Sequence, residues 1–292
     1  MHLIRFIQNP LRALFWAVFG VMSCSIYLEV GTNLHAQTMG SASYWRAQSW
    51  MRGGAGVAWS DEVDALTANP ALMMKGQGGS SFGGDYLNLP NNRDGWSVGI
   101  VDGRSPLLGG FRFDWANEGR VKRYTMTGGA AYSTSFGTFG VSAHAHKFNR
   151  LLKDNGWHFT QTAGVFVPIG SGFSIGIIGK NLLDKTKDSV LPPEFACGFV
   201  YQYEQAIIFQ FQADRRFEIP NQDFSYSTGV DILTQKFFAV RGGFRWDHEK
   251  TERFWSAGMA LESPRSSLGG FYTRTIESPH RNGYGFKLAL KF

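Results

Sequence analysis

Three groups of residues have the types and spacing for chemistry. The first lies in Val141-Ser142-Ala143-His144-Ala145-His146. Residues two apart share a strand face, so Ser142, His144 and His146 point the same way. That arrangement suits a metal pair or a serine beside a base. Zinc needs at least a third protein ligand, and only the remote His158 is on offer. A hydrolytic serine needs an oriented base, and a shared face is cheap where serine is common. Polar lining of an interior, hydrogen-bonded to neighbours, uses the same residues without a reaction. The second group is Asp231 and Glu204, a carboxylate pair or two members of a charge network. The third is Arg52-Gly53-Gly54-Ala55-Gly56, a glycine-rich loop without the Lys-Ser/Thr of a phosphate loop, which argues against nucleotide binding. These residues point to no enzyme, no metal and no cofactor.

Positioning must come from the rest of the chain, 292 residues with 36 Gly, 44 aromatic residues and 18% charged residues. Two cysteines cannot form a disulfide scaffold. The charges are too frequent for a bundle of membrane helices, and the apolar content is too high for disorder. Residues 1–36 carry Arg5 and Arg12 and then an apolar stretch from Ala13 to about Leu28. This is the pattern of an export signal, with cleavage near Ala36-Gln37. Its removal lowers the net charge from +6 to about +5 and leaves Cys197 as the one cysteine of the exported chain. A mild positive charge without Lys/Arg runs speaks against nucleic acid.

From residue 78 onward, apolar and polar residues alternate in segments of roughly ten, the strand period. The segments are 78–88, 94–103, 107–116, 120–134, 138–149, 156–168, 172–181, 194–203, 206–216, 223–233, 236–246, 252–262, 266–276 and 283–292. In the last, Tyr284, Phe286, Leu288, Leu290 and Phe292 fall on one face. The opposite faces carry Arg112, Asp114, Arg123, Asp231, Arg241, Arg245 and Lys287. Trp96, Trp115, Tyr132, Trp157, Phe195 and Trp246 gather near strand ends, as interfacial girdles do, and tight turns alternate with longer connections. A bilayer admits only helices or closed sheets. The expectation is an all-β, transmembrane antiparallel β-barrel of fourteen strands over 78–292, with twelve as the alternative count. Its aromatic-terminated last strand resembles the signal read by bacterial barrel-assembly machinery.

Residues 37–77 do not alternate. Ser60 before Asp61, Glu62 and Asp64 reads as a capped helix start, and Asn69-Pro70 ends that turn. The run from Gly53 to Met73, with Gly53, Gly54 and Gly56, the Ser60–Asp64 turn and Asn69-Pro70-Ala71, resembles the N-terminal hatch of FadL-like outer-membrane proteins. The resemblance is closer to their PorV/PorQ branch, whose strand-end Gly-Lys-Asn-Leu is also matched at Gly179–Leu182.

The resemblance implies that 37–77 plugs the barrel, with Gly53, Gly54, Gly56, Asp61, Asp64, Asn69, Pro70, Ala71 and Leu72 as the gate. Small hydrophobic molecules would then pass the outer membrane of a Gram-negative cell when the Asn69–Leu72 segment moves. Asp61, Glu62 and Asp64 are candidate partners for inward arginines. Trp45, Trp50, Leu66, Leu72 and Met73 are candidates for an apolar lining. The longest outer connection, Leu182–Pro193, is about a dozen residues and mostly polar, unlike the large capturing loops of fatty-acid transporters. The alternative is therefore a permanently plugged barrel that serves another envelope protein, as PorV-type proteins do in secretion. The expected partners are outer-membrane lipid, the assembly machinery, and either a hydrophobic small ligand or an envelope protein.

Overall fold

The computed structural model describes residues 47–76, 78–89, 93–118, 121–150, 156–182, 191–204, 206–217, 224–234, 237–247, 252–277 and 280–292. The export signal, Trp45 and most of the longer connections lie outside them. Fourteen strands form one closed antiparallel barrel. They are β1 Ser80–Leu89, β2 Arg93–Asp102, β3 Leu107–Glu118, β4 Val121–Ser133, β5 Thr138–Arg150, β6 Trp157–Gly170, β7 Phe173–Lys180, β8 Glu194–Tyr203, β9 Ile207–Arg216, β10 Ser225–Thr234, β11 Phe238–Asp247, β12 Glu252–Glu262, β13 Ser266–Thr275 and β14 Asn282–Lys291.

Each strand pairs with its sequence neighbour, and β1 closes the ring on β14. At the seam Phe292 N donates to Ser80 O at 2.8 Å, and Ser80 N donates to Phe292 O at 3.1 Å. Closure leaves no edge strand, the condition for a sheet in hydrocarbon.

Side-chain alternation sorts the wall into two faces. Outside stand Ile100, Phe111, Val141, Phe159, Met259, Leu268, Phe286 and Leu288, all substantially exposed. So extensive an apolar exterior is unfavourable in water and suits a bilayer core. Trp96, Tyr132, Trp157 and Trp246 are also on the outer surface. Of the C-terminal residues, Tyr284, Phe286, Leu288 and Phe292 are exposed and Leu290 is half-buried. Inside stand most of the strand charges, together with glycines and hydroxyls.

The lumen holds residues 47–76. Helix α1, Ala47–Met51, is followed by the glycine loop, helix α2, Glu62–Ala68, and a 3-10 segment, Pro70–Gly76. Ser60 does not cap α2. Asp61 is the N-cap residue and its side chain makes no cap bond; the Ser60 hydroxyl donates instead to Asp61 O at 3.4 Å. Wall cations claim Asp61 and Asp64, the Glu62 side chain lies outside the described residues, and the Asp61 carbonyl receives Ala65 N at 2.8 Å.

Candidate functional site

The site is the contact between this hatch and the inner wall. It begins with glycine. Gly140, Gly164, Gly176, Gly229 and Gly243 face inward from β5, β6, β7, β10 and β11. A Cβ on Gly140 would lie 2.3 Å from Ala71 N, and one on Gly164 would lie 2.0 Å from Asn69 Oδ1. On Gly176 it would lie 2.2 Å from Val57 O, on Gly229 2.7 Å from Arg52 Cβ, and on Gly243 2.1 Å from Arg52 C. At Gly140, Gly176, Gly229 and Gly243 the wall meets hatch backbone, and at Gly164 it meets the Asn69 amide, approaches that only glycine permits. In return, Gly53 sits at φ +67°, where its own Cβ would be 2.4 Å from Phe244 N.

Onto this seat the hatch is bonded by ions. Asp64 accepts from Arg112 Nη1 at 2.6 Å and from Lys287 Nζ at 2.8 Å. Lys287 also pairs with Asp61, whose Oδ1 accepts from Gln48 Nε2 at 2.5 Å. Arg112 is further held by Asp114 at 2.8 Å and Asp85 at 3.3 Å. Across the lumen, Arg52 grips Asp231 with Nε at 2.7 Å from Oδ1 and 2.9 Å from Oδ2. Asp231 also meets Arg241, which pairs with Glu262.

Arg245 binds Asp214 at 2.9 Å and the Ser227 hydroxyl at 2.9 Å. Gln212 accepts from Gly56 N at 3.0 Å and Val57 N at 3.2 Å, and Gly53 N donates to the Ser256 hydroxyl at 3.0 Å. Burial alone would raise the Asp64 carboxyl, but Lys287 and Arg112 hold it down to about 2. Burial likewise works against ionised Asp61, yet Lys287, Arg241 and Arg52 keep it well below the usual carboxylate range. Both acids are thus anions at neutral pH.

Asn69 is fully buried and fixes the Asn69–Leu72 segment. Its Nδ2 donates to Val57 O at 2.8 Å and to Val165 O at 3.2 Å, and its Oδ1 accepts from Ala71 N at 3.1 Å. Around the polar bonds lie apolar patches. Leu66, Leu72 and Met73 pack with Val101, Leu108 and Ala131, near the short-turn ends of β2, β3 and β4. Trp50 and Met51 pack with Leu87, Leu89, Ala116, Phe254 and Phe271. Trp50 stacks on Phe254 at 4.6 Å and on Phe271 at 6.5 Å. A void of about 10 Å³, lined by Asp61, Val63, Asp64, Ser81, Asp85 and Lys287, remains between α2 and the wall. That is room for about one water.

All seven inward charges from the alternation are buried. Six join the networks above, and Arg123 lies on β4 opposite Phe148. The histidine group is taken up by hydrogen bonds to its neighbours. His144 Nδ1 meets Thr127 Oγ1 at 2.9 Å, and its Nε2 meets Thr162 Oγ1 at 2.9 Å and Ser142 Oγ at 3.2 Å. His146 Nδ1 meets Thr125 Oγ1 at 2.9 Å and its Nε2 meets Thr160 Oγ1 at 3.1 Å. Every ring nitrogen is spent on a hydroxyl, and no metal-holding group of three ligands occurs among the described residues. Nor do Asp231 and Glu204 pair: Asp231 is buried against Arg52, and Glu204 is exposed in the β8–β9 turn.

Gln48, Asp85, Gln212, Asp214 and Glu262 belong to the site without having been singled out, and Arg52 was read only as the start of a glycine-rich loop. Asp85 and Asp214 carry the same signal as Arg112, a charge on the inward parity. The recurrent glycine near the middle of so many strands was the readable mark of the seat.

The chain matches no family model and no curated protein. Among solved structures it is similar to the CymD monoaromatic hydrocarbon channel, with a TM-score of 0.67 at 12% identity over 84% of this chain and 97% of that one. The chain has the fold of that channel. It is similar also to the Ralstonia pickettii toluene transporter TbuX, at TM-score 0.64 and 11% identity over 85% and 97% of the two chains. The P. putida toluene transporter TodX gives 0.62 and 10% over 85% and 98%. The channel fold thus accounts for the fourteen strands and leaves the lumen residues to be read on their own.

Proposed function

We propose that this is a FadL-like barrel of the Gram-negative outer membrane that passes small hydrophobic molecules, with the hatch as its gate, and that it is not an enzyme. One observation carries the reading: the chain shares, over 84% of its length, the fold of a channel described for monoaromatic hydrocarbons. The lumen supports it. Between the ion pairs, hatch and wall pack apolar side chains together at two levels, Trp50 against Phe254 and Phe271, and Leu66, Leu72 and Met73 against Val101, Leu108 and Ala131. A small apolar solute would move from one to the other when the Asn69–Leu72 segment withdraws from Gly140 and Gly164.

A second reading has its own support. The ion pairs and backbone contacts that seat the hatch also suit a permanently plugged barrel docked to another envelope protein, in the manner of the PorV branch.

Native mass spectrometry of the protein extracted gently from its host's outer membrane separates the two. A stoichiometric hydrophobic ligand on the monomer, lost in Leu72→Asp, is the expected result. A ligand-free barrel held by a second protein would overturn the transport reading in favour of the plugged one.

A further inference from the structure

Charges on the outer face of the wall are unevenly placed. By strand parity, the outward-facing charges at the long-loop end are five cations, Lys122, Lys147, Arg215, Arg253 and Arg274, and one acid, Asp94. At the short-turn end the described strands present Asp102, which is paired with Arg104 of the adjoining turn at 2.8 Å. Asp94 accepts a hydrogen bond from Asn117 at 3.0 Å, and Arg253 is neutralised by Glu277 at 2.9 Å. Lys122 and Lys147 have no carboxylate within 4 Å among the described residues. A bare ammonium on the lipid-facing side of a barrel must reach out of the hydrocarbon to something polar.

Register brings these two lysines together. Lys147 lies opposite Tyr124 on β4, and Lys122 lies opposite Asn149 on β5, so the lysines are diagonal neighbours. Diagonal side chains stand about 7–8 Å apart, within reach of one group for chains as long as lysine. On the other side Lys147 is opposite Trp157, and its Nζ lies 5.9 Å from that ring. Trp157 is 47% exposed. An indole at the apolar boundary with an ammonium beyond it marks headgroup depth. Two adjacent point charges there match a phosphate oxyanion, which lysine binds by charge rather than by a planar fork.

We propose that the long-loop rim of β4, β5 and β6 is a binding site for a phosphorylated glycolipid of the outer leaflet, Lys122 and Lys147 clasping one lipid A phosphate beside Trp157. The proposal rests on the outer-membrane reading above, with the longer connections facing outward.

The test uses the full protein in mild detergent, with bisphosphorylated and dephosphorylated lipid A as probes, read by native mass spectrometry. Lys122→Gln/Lys147→Gln is expected to weaken retention of bisphosphorylated lipid A roughly 30-fold, from about fivefold per surface cation. Arg265→Gln/Lys291→Gln at the opposite rim should leave it unchanged, and dephosphorylated lipid A should not distinguish the variants. Equal retention by the wild type and the β4–β5 variant would overturn the proposal. So would displacement of the lipid by millimolar inorganic phosphate, which would make the site a free-phosphate site. Recovery of the chain outside its host's outer-membrane fraction would defeat the localisation itself. An outer-membrane barrel that holds lipid A equally well without the two lysines would defeat this proposal alone.

Discussion

Lys287→Met removes the buried cation that holds α2 to β14. Lys287 is 4% exposed and binds both Asp61 and Asp64. Breaking a buried pair by deleting one partner costs about 3–5 kcal/mol, mostly because the surviving charge is left uncompensated. Asp64 keeps Arg112 at 2.6 Å and Asp61 keeps Gln48, so the lower end of that range applies. At 1.4 kcal/mol per tenfold, about 3 kcal/mol raises the population of the unseated hatch about a hundredfold. The wall should not follow, because β14 pairs with β1 and β13 through backbone bonds that the substitution does not touch. Hydrogen exchange resolved by peptide should show faster exchange over 61–76 and unchanged protection over 266–291. Adding Asp61→Asn removes the carboxylate left with only Gln48 and should restore most of the loss. Unchanged exchange in the single variant, or melting of β13 and β14 together with the hatch, would refute the ion-latch argument.

Three further predictions follow from the same geometry. Asp64 has a folded pKa of about 2, below its ordinary 3.8. Its contribution is therefore fully present above its ordinary pKa and is lost as pH falls toward 2; proteolysis of the hatch should rise steeply below about pH 4, and Asp64→Asn should remove that acid-side rise. Gly176→Ala drives a Cβ to 2.2 Å from Val57 O, a backbone atom that cannot swing away, and should unseat the glycine loop by about 1–3 kcal/mol in the same exchange assay. Outward-facing Gly128→Ala, with nothing within 4 Å, should change nothing. His144→Leu leaves the Thr127 and Thr162 hydroxyls without their partner and should lower barrel stability by about 1–3 kcal/mol in a denaturant melt, while added zinc should leave the wild-type melt unmoved.

Strand number and facing were legible because a two-sided wall writes its period directly into the chain. Lys287 between Phe286 and Leu288 can face only the lumen once those two face lipid. Partners were not legible, since Asp64 and Lys287 are 223 residues apart and meet only after the barrel has closed and the hatch has entered. Ser60 misled for the same reason: local capping preferences describe a helix in water, whereas here wall cations settle where each acid points. His144 and His146 show how a shared face suggests a ligand pair until the hydroxyls of β4 and β6 are placed beside them. The glycines of β5, β6 and β7 sit unremarked within the alternating segments, and what they seat appears only when the hatch lies against them.

The central claim, passage by hatch movement, is tested most directly by tethering the hatch reversibly. A Cβ on Gly164 would lie 3.0 Å from Asn69 Cγ, so Asn69→Cys/Gly164→Cys places two thiols within bonding range; a Cys197→Ser background removes the lipid-side thiol. The flux of a labelled monoaromatic hydrocarbon into proteoliposomes is measured with the tether oxidised and again after reduction. The account predicts no flux above empty vesicles while the tether is closed, and flux restored by reductant. Equal flux in both states would contradict it, because the solute would then cross a barrel whose hatch had not moved.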